Sequence, residues 1–242
     1  MSEVELQSSA PRGLPPAFAA LVAPQAGMER QARTGSARLA FVIALVCSLL
    51  AAFAQAAHVD AKSATLEKLE KAGTLQTMSD KQLEDATRNA ARLYQVGRVA
   101  VGALETPVFL LLGGLAVLGL SWFLRAKVKG RAVFPVAAAA LLPSAIANLL
   151  DAISAFQQPS LPLAGATLSP RNLSLLLTTF GYTLAGPWLK LGNALDFFSL
   201  WGALLMGYGI AAAAEVPPRR ALIAVLCGWV FWRLLTNVAM GG

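Results

Sequence analysis

The chain has 242 residues, 56% of them hydrophobic and 14% charged, with a formal net charge of +7. Soluble domains carry about a quarter charged residues, so this composition excludes an ordinary soluble domain. The basic residues flank apolar runs, where they orient membrane spans, and no Gly-rich phosphate loop or aromatic-interleaved basic platform accompanies them, which argues against nucleic-acid binding.

Residues 1–37 are polar and rich in Pro, Gly, Ser and Ala. They are expected to form a mostly disordered cytoplasmic leader. Within it "LPPAFAALVAP" offers a short surface helix through Phe18, Leu21 and Val22, interrupted by prolines. The first apolar run, "LAFVIALVCSLLAAFAQAA" (residues 39–57), follows Arg30, Arg33 and Arg38. It is read as an uncleaved span. The rival reading is a cleavable signal peptide, which the "AQA" at its end imitates.

Residues 58–97 carry helical i, i+4 ion pairs, Glu67 with Lys71 and Glu84 with Arg88, interrupted at Gly73. Ser79 and Gln82 have the spacing of a capping box, and Leu83, Ala86, Ala90 and Leu93 follow at helical intervals. The expectation is a helical excursion on the far side of the membrane, its second limb running into the next span at about 99–124. That span holds Gly113, Gly114 and Gly119, small residues that let helices approach closely in lipid.

"RAKVKGR" (residues 125–131) has four basic residues in seven and no acid. Its charge places it in the cytoplasm together with the leader. A third span is expected at about 133–156, with Pro143 as a kink, then the Pro-rich loop "QQPSLPLAGATLSP". Residues 172–190 are apolar but irregular, read as a re-entrant or interfacial segment. Further spans are expected at about 195–214 and 221–238, separated by "EVPPRR". If 172–190 crossed, Arg219 and Arg220 would lie on the wrong side. The reading is therefore all-α, a polytopic bundle of five spans with the N-terminus cytoplasmic and a membrane domain over 38–238.

This topology brings the scattered polar residues to one membrane face. His58 ends the first span, and Glu105 lies near the start of the second. Asp151 is near the end of the third and Asp196 opens the fourth; Arg233 sits on the last span. A charge within a span costs at least about 2.5 kcal/mol, so it finds a partner or water. Asp196 is expected to cap its helix and to offer Arg233 a counter-ion. A direct role of the cluster in cation or headgroup binding is the alternative. No HExxH, paired-glutamate or nucleophile-elbow motif occurs, and the two cysteines, Cys47 and Cys227, make neither a disulfide framework nor a metal site. No metal and no cofactor is expected. The tryptophans read as interfacial anchors and packing.

From Asp80 onward the order of features resembles the bacterial branch of the Yip family, membrane proteins named for interaction with Ypt/Rab GTPases. The resemblance is carried by "MSDKQLEDATRNAARL", "RAKVKGR", "IANLLDAISAF", "LDFFSLWGALLMGYGIA" and "LCGWVFWRLL". It implies a five-span bundle with a cytoplasmic N-terminus. In eukaryotes the family serves vesicle traffic and membrane shaping. The "DLYGP" signature of those relatives is absent, so Rab binding is not carried over, and no catalytic residue is.

The expected function is non-enzymatic: an integral protein of a bacterial cytoplasmic (inner) membrane that organises lipid or a partner protein. Membrane lipid, a membrane-protein partner or a second copy of the chain are the expected partners. Gly113, Gly114, Gly119, Ala203 and Gly207 would form the helix-packing faces. The alternative is a transporter or channel-like subunit with Asp151, Asp196 and Arg233 lining a route. Such folds commonly show two similar halves with broken helices, and the first half holds no counterpart of 172–190.

Overall fold

The structure, a computed structural model, describes residues 13–74, 77–158 and 171–236. Its named elements are all helices: α1 (Pro16–Val22), α2 (Pro24–Thr34), α3 (Ala37–His58), α4 (Ala61–Lys71), α5 (Asp80–Phe123), α6 (Gly130–Ala140), α7 (Leu142–Gln157), α8 (Leu173–Thr179), α9 (Pro187–Ala194), α10 (Phe197–Ala214) and α11 (Pro218–Leu234). Four helices among the described residues are long and apolar enough to cross a membrane: Ala37–His58, Asp80–Phe123, Gly130–Gln157 and Phe197–Ala214. α11 has 17 residues, and the end of the span expected at 221–238 lies outside the described residues.

The expectation of a disordered leader is corrected for residues 16–34, while residues 1–12 lie outside the described part. Pro16 and Pro24 each stand at the start of a helix, where the missing N–H and fixed φ suit the first turn, so they begin α1 and α2 rather than interrupting one helix. The two helices pack backbone to backbone: a Cβ on Gly27 would lie 2.2 Å from the nitrogen of Ala20. Met28 is fully buried, and the Gln31 side chain donates to the carbonyls of Ser36 (3.3 Å) and Pro135 (3.1 Å). Composition hid this because the prolines look like breaks and much of the contact surface is alanine and glycine.

Asp60 caps α4, accepting from the Ser63 backbone at 3.0 Å and its hydroxyl at 2.6 Å; these bonds hold its carboxyl below its ordinary pKa. Gly73 takes φ +69°, and the chain then re-enters helix through the capping box. The Ser79 backbone donates to Gln82 Oε1 at 3.0 Å, and the Gln82 backbone donates to Ser79 Oγ at 3.4 Å. From there α5 runs 44 residues, about 66 Å at 1.5 Å per residue. A hydrocarbon layer is about 30 Å thick, so α5 is roughly twice as long as a crossing needs, and its charged residues lie mostly in its first half.

Pro143 cannot donate to the preceding turn, and the helix is interrupted just before it: α6 ends at Ala140 and α7 begins at Leu142. The "QQPSLPLAGATLSP" loop lies almost wholly outside the described residues.

The chain divides into two compact units, one comprising Met1–Leu45, Thr106–Ala147 and Pro170–Gly242, the other Val46–Glu105 and Asn148–Ser169. The core of the first is built from small residues of α6 and α10 with Met28, Val117, Leu205 and Ile210. In that unit α6 and α10 run antiparallel, with a Cβ on Gly202 2.8 Å from the Ala140 carbonyl and the Lys129 backbone 3.5 Å from that of Ala213. The smaller core of the second is alanine, Ala51 and Ala54 against Ala152 and Ala155. Such residues bring helix axes close, which in lipid replaces the absent hydrophobic drive with dispersion contacts.

Candidate functional site

Asp196 sits where the backbone between α9 and α10 is briefly extended. Its side chain caps α10, accepting from the Ser199 backbone at 2.7 Å. The same residue forms an isolated antiparallel bridge with Asn172, flanked by the Leu173 N–H to Leu195 carbonyl bond and the Phe197 N–H to Arg171 carbonyl bond, both 3.0 Å. This bridge closes residues 172–196 into a loop carrying two short helices. It also delivers Arg171, whose Nε lies 3.5 Å from the Asp196 carboxylate, with the side chains 25% and 14% exposed.

The Arg233 guanidinium bonds backbone carbonyls next to Asp196. Its Nε donates to the Ala194 carbonyl at 2.8 Å and its terminal nitrogen to the Asn193 carbonyl at 3.4 Å. These are the last residues of α9, where helix carbonyls lack intrahelical partners and the dipole favours a cation. Asp196 also acts on Arg233 through space. The ion pair in contact is nevertheless Arg171 with Asp196. Arg171 carried no signal in the sequence, because it stands beside a Pro-rich loop and 24 mostly apolar residues away from its partner.

Beneath the 172–196 loop lies an open cleft of about 380 Å³. Leu173, Leu177, Leu184 and Leu191 wall one side, and Trp229 and Val230 of α11 the other; Arg233 stands at its edge. The Trp229 indole N–H donates to Ser199 Oγ at 3.3 Å, fixing that wall to the first turn of α10. The lining is almost wholly apolar, so the cleft suits a hydrocarbon chain and offers no reacting group.

Glu105 and Asp151 belong to the second unit. Glu105 accepts from Ser48 Oγ at 3.3 Å, and the same hydroxyl reaches the Gly102 carbonyl at 3.0 Å. Two turns further along, Arg98 donates to Gln55 at 2.7 Å. These bonds stitch α3 to α5, and a Cβ on Gly102 would lie 2.4 Å from that of Ala52. Asp151 is buried, 3% exposed, on α7. The His58 ring packs edge-on against Phe156, with centroids 5.5 Å apart. Among the described residues no group of three His, Cys, Asp or Glu is placed to hold a metal ion.

The small residues divide. A Cβ on Gly113 would meet Ala137 at 3.2 Å, one on Gly114 would meet Phe134 at 3.2 Å, and one on Gly207 would meet the Leu222 side chain at 2.8 Å. Ala203 is buried. Gly119 faces open space within this chain. Sequence reading missed Gly202 and Gly209, whose added Cβ atoms would press on Ala140 and on Val136 with Met28. Their seven-residue spacing, two turns of one apolar helix, was the available signal.

Searches for likeness found no protein-family model, no curated protein and no solved structure that matches the chain.

Proposed function

We propose that this protein is a non-enzymatic, five-span, Yip-like bundle of a bacterial cytoplasmic membrane, with its N-terminus cytoplasmic, and that it organises membrane lipid. The observation that carries the reading is the apolar cleft of about 380 Å³ between the 172–196 loop and α11. An apolar cleft opening from a helix bundle in a bilayer is filled by the apolar solvent available, an acyl chain. The loop that roofs it is held by one bridge, one ion pair and the Arg233 cap, so an acyl chain in the cleft is immobilised by a defined structure.

In this account α11 is the fifth span and Arg233 lies toward its outer end, bonded to carbonyls rather than exposed to hydrocarbon. The charge rule supports the orientation, since the basic segments before α3, between α5 and α6 and at the start of α11 all then face the cytoplasm.

The reading is tested with phospholipid carrying a photoreactive group on its acyl chain. Freely exchanging lipid labels the exposed outer face of α5 at Leu115 and Leu118. Resident lipid labels Leu177, Leu191 and Val230, and that labelling persists when unlabelled lipid is added in excess. Labelling confined to α5 overturns the reading.

A further inference from the structure

At one end of the first unit the structure gathers basic side chains from several separate segments of chain. Contacts fix the grouping. Lys129 Nζ pairs with Glu215 at 2.6 Å, joining the turn before α6 to the end of α10. The charge of Arg33, at the end of α2, also acts on Glu215. Gln31 bonds the carbonyls of Ser36 and Pro135, which ties the α2–α3 junction to the first turns of α6. α11 starts three residues after Glu215, with Arg219 and Arg220 in its first turn.

The four cations of "RAKVKGR", with Arg33, Arg38, Arg219 and Arg220, are all exposed. Among the described residues the ion pair recorded for these cations is that of Lys129 with Glu215. The charge is therefore far larger than internal pairing uses. Trp122 and Phe123, 82% and 70% exposed, end α5 at the same level. Aromatic rings at a helix end mark the depth of lipid headgroups, and the apolar segments of α5, α6 and α10 all terminate here.

We infer that this basic end of the protein is a binding collar for the phosphate groups of anionic phospholipids. The inference rests on the lipid-organising reading above and adds a headgroup class to it, at a place separate from the cleft. The depth argument selects lipid over a soluble polyanion: the cations lie where spanning helices end, level with bilayer phosphates, and come from helix ends rather than from a projecting arm. Each cation near a bilayer surface favours anionic lipid, and the attraction falls off within a Debye length. The collar concentrates such lipid around the bundle, while the cleft retains an acyl chain.

The test uses the full chain in bilayers of phosphatidylcholine containing spin-labelled phosphatidylglycerol or spin-labelled phosphatidylcholine. The motionally restricted fraction reports association. The wild-type protein is expected to favour phosphatidylglycerol by about threefold or more at low salt, with the preference falling toward one at about 1 M salt. The variant Arg125→Gln, Lys127→Gln, Arg219→Gln, Arg220→Gln, which leaves the Lys129–Glu215 pair intact, is expected to lose the preference while the restricted fraction of phosphatidylcholine stays the same. Should that variant not fold, the salt series on the wild type decides alone. Equal association of the two lipids with the wild type, or a preference that survives both salt and substitution, overturns the collar; a soluble acidic partner is then the better occupant. Persistent acyl photolabelling of the cleft in that case leaves the lipid-organising reading standing, and loss of the cleft labelling with the preference intact removes that reading and not the collar.

Discussion

Glu215 shows what one side chain does at a helix end. It takes φ +55° to close α10, and its carboxylate accepts from Lys129 at 2.6 Å. That hydrogen bond, then the Lys129 charge, then Arg33 lower its pKa against a small opposing effect of burial. Because the folded value is depressed, the link is fully present above the ordinary glutamate range and is lost as pH falls through the lowered value. A carboxyl-carbon NMR titration of Glu215 should give a midpoint below the usual glutamate value, and Lys129→Gln should return it upward. Glycines give a sharper contrast. Gly27→Ala forces a Cβ into the Ala20 backbone and should destabilise the protein by about 1–3 kcal/mol in thermal unfolding in micelles. Gly119→Ala meets nothing within 4 Å and should be neutral or stabilising by up to about 1 kcal/mol. Asp196 as a cap was legible from an acid heading an apolar run. Arg171 as its contact partner was not, because no local rule joins residues across a bridge of such separation.

At the level of elements, long apolar stretches were readable because length and hydropathy suffice: α3, the second half of α5, α6 with α7, and α10. The capping box at Ser79 was readable because its chemistry is local. Ser79→Ala should cost about 0.5–2 kcal/mol at the start of α5, seen as faster amide hydrogen exchange over residues 82–87 with the membrane half unchanged. A short helix at the place of α1 was offered by the sequence, but α2 and its packing on α1 escaped reading because the prolines look like breaks and the alanines like filler. The 172–196 loop was legible as irregular, while its closure depends on a bridge that sequence does not encode locally. A double-mutant cycle on Arg171→Gln and Asp196→Asn should return a coupling of about 0.5–3 kcal/mol, larger than the cycle of Asp196→Asn with Arg233→Gln. Equal coupling in both cycles would mean that Arg233, bonded here to Asn193 and Ala194, is as much a partner of Asp196 as Arg171 is.

For the whole molecule, the helical, membrane-compatible architecture follows from four long apolar helices, and the orientation proposed above rests on where the cations lie. With the native cysteines replaced, single cysteines at Lys127 and Arg219 should react from the same side of a sealed vesicle and one at Ser63 from the other. Labelling of 127 and 219 from opposite sides would break the span count. The central claim is that the bundle holds lipid as part of its structure, and it is tested most directly by weighing the intact protein released from native lipid discs by mass spectrometry. The chain is expected with phospholipid retained after annular lipid is stripped, and with retention reduced when Leu177→Trp and Val230→Trp fill the cleft. A bare chain, or retention indifferent to those substitutions, would contradict it.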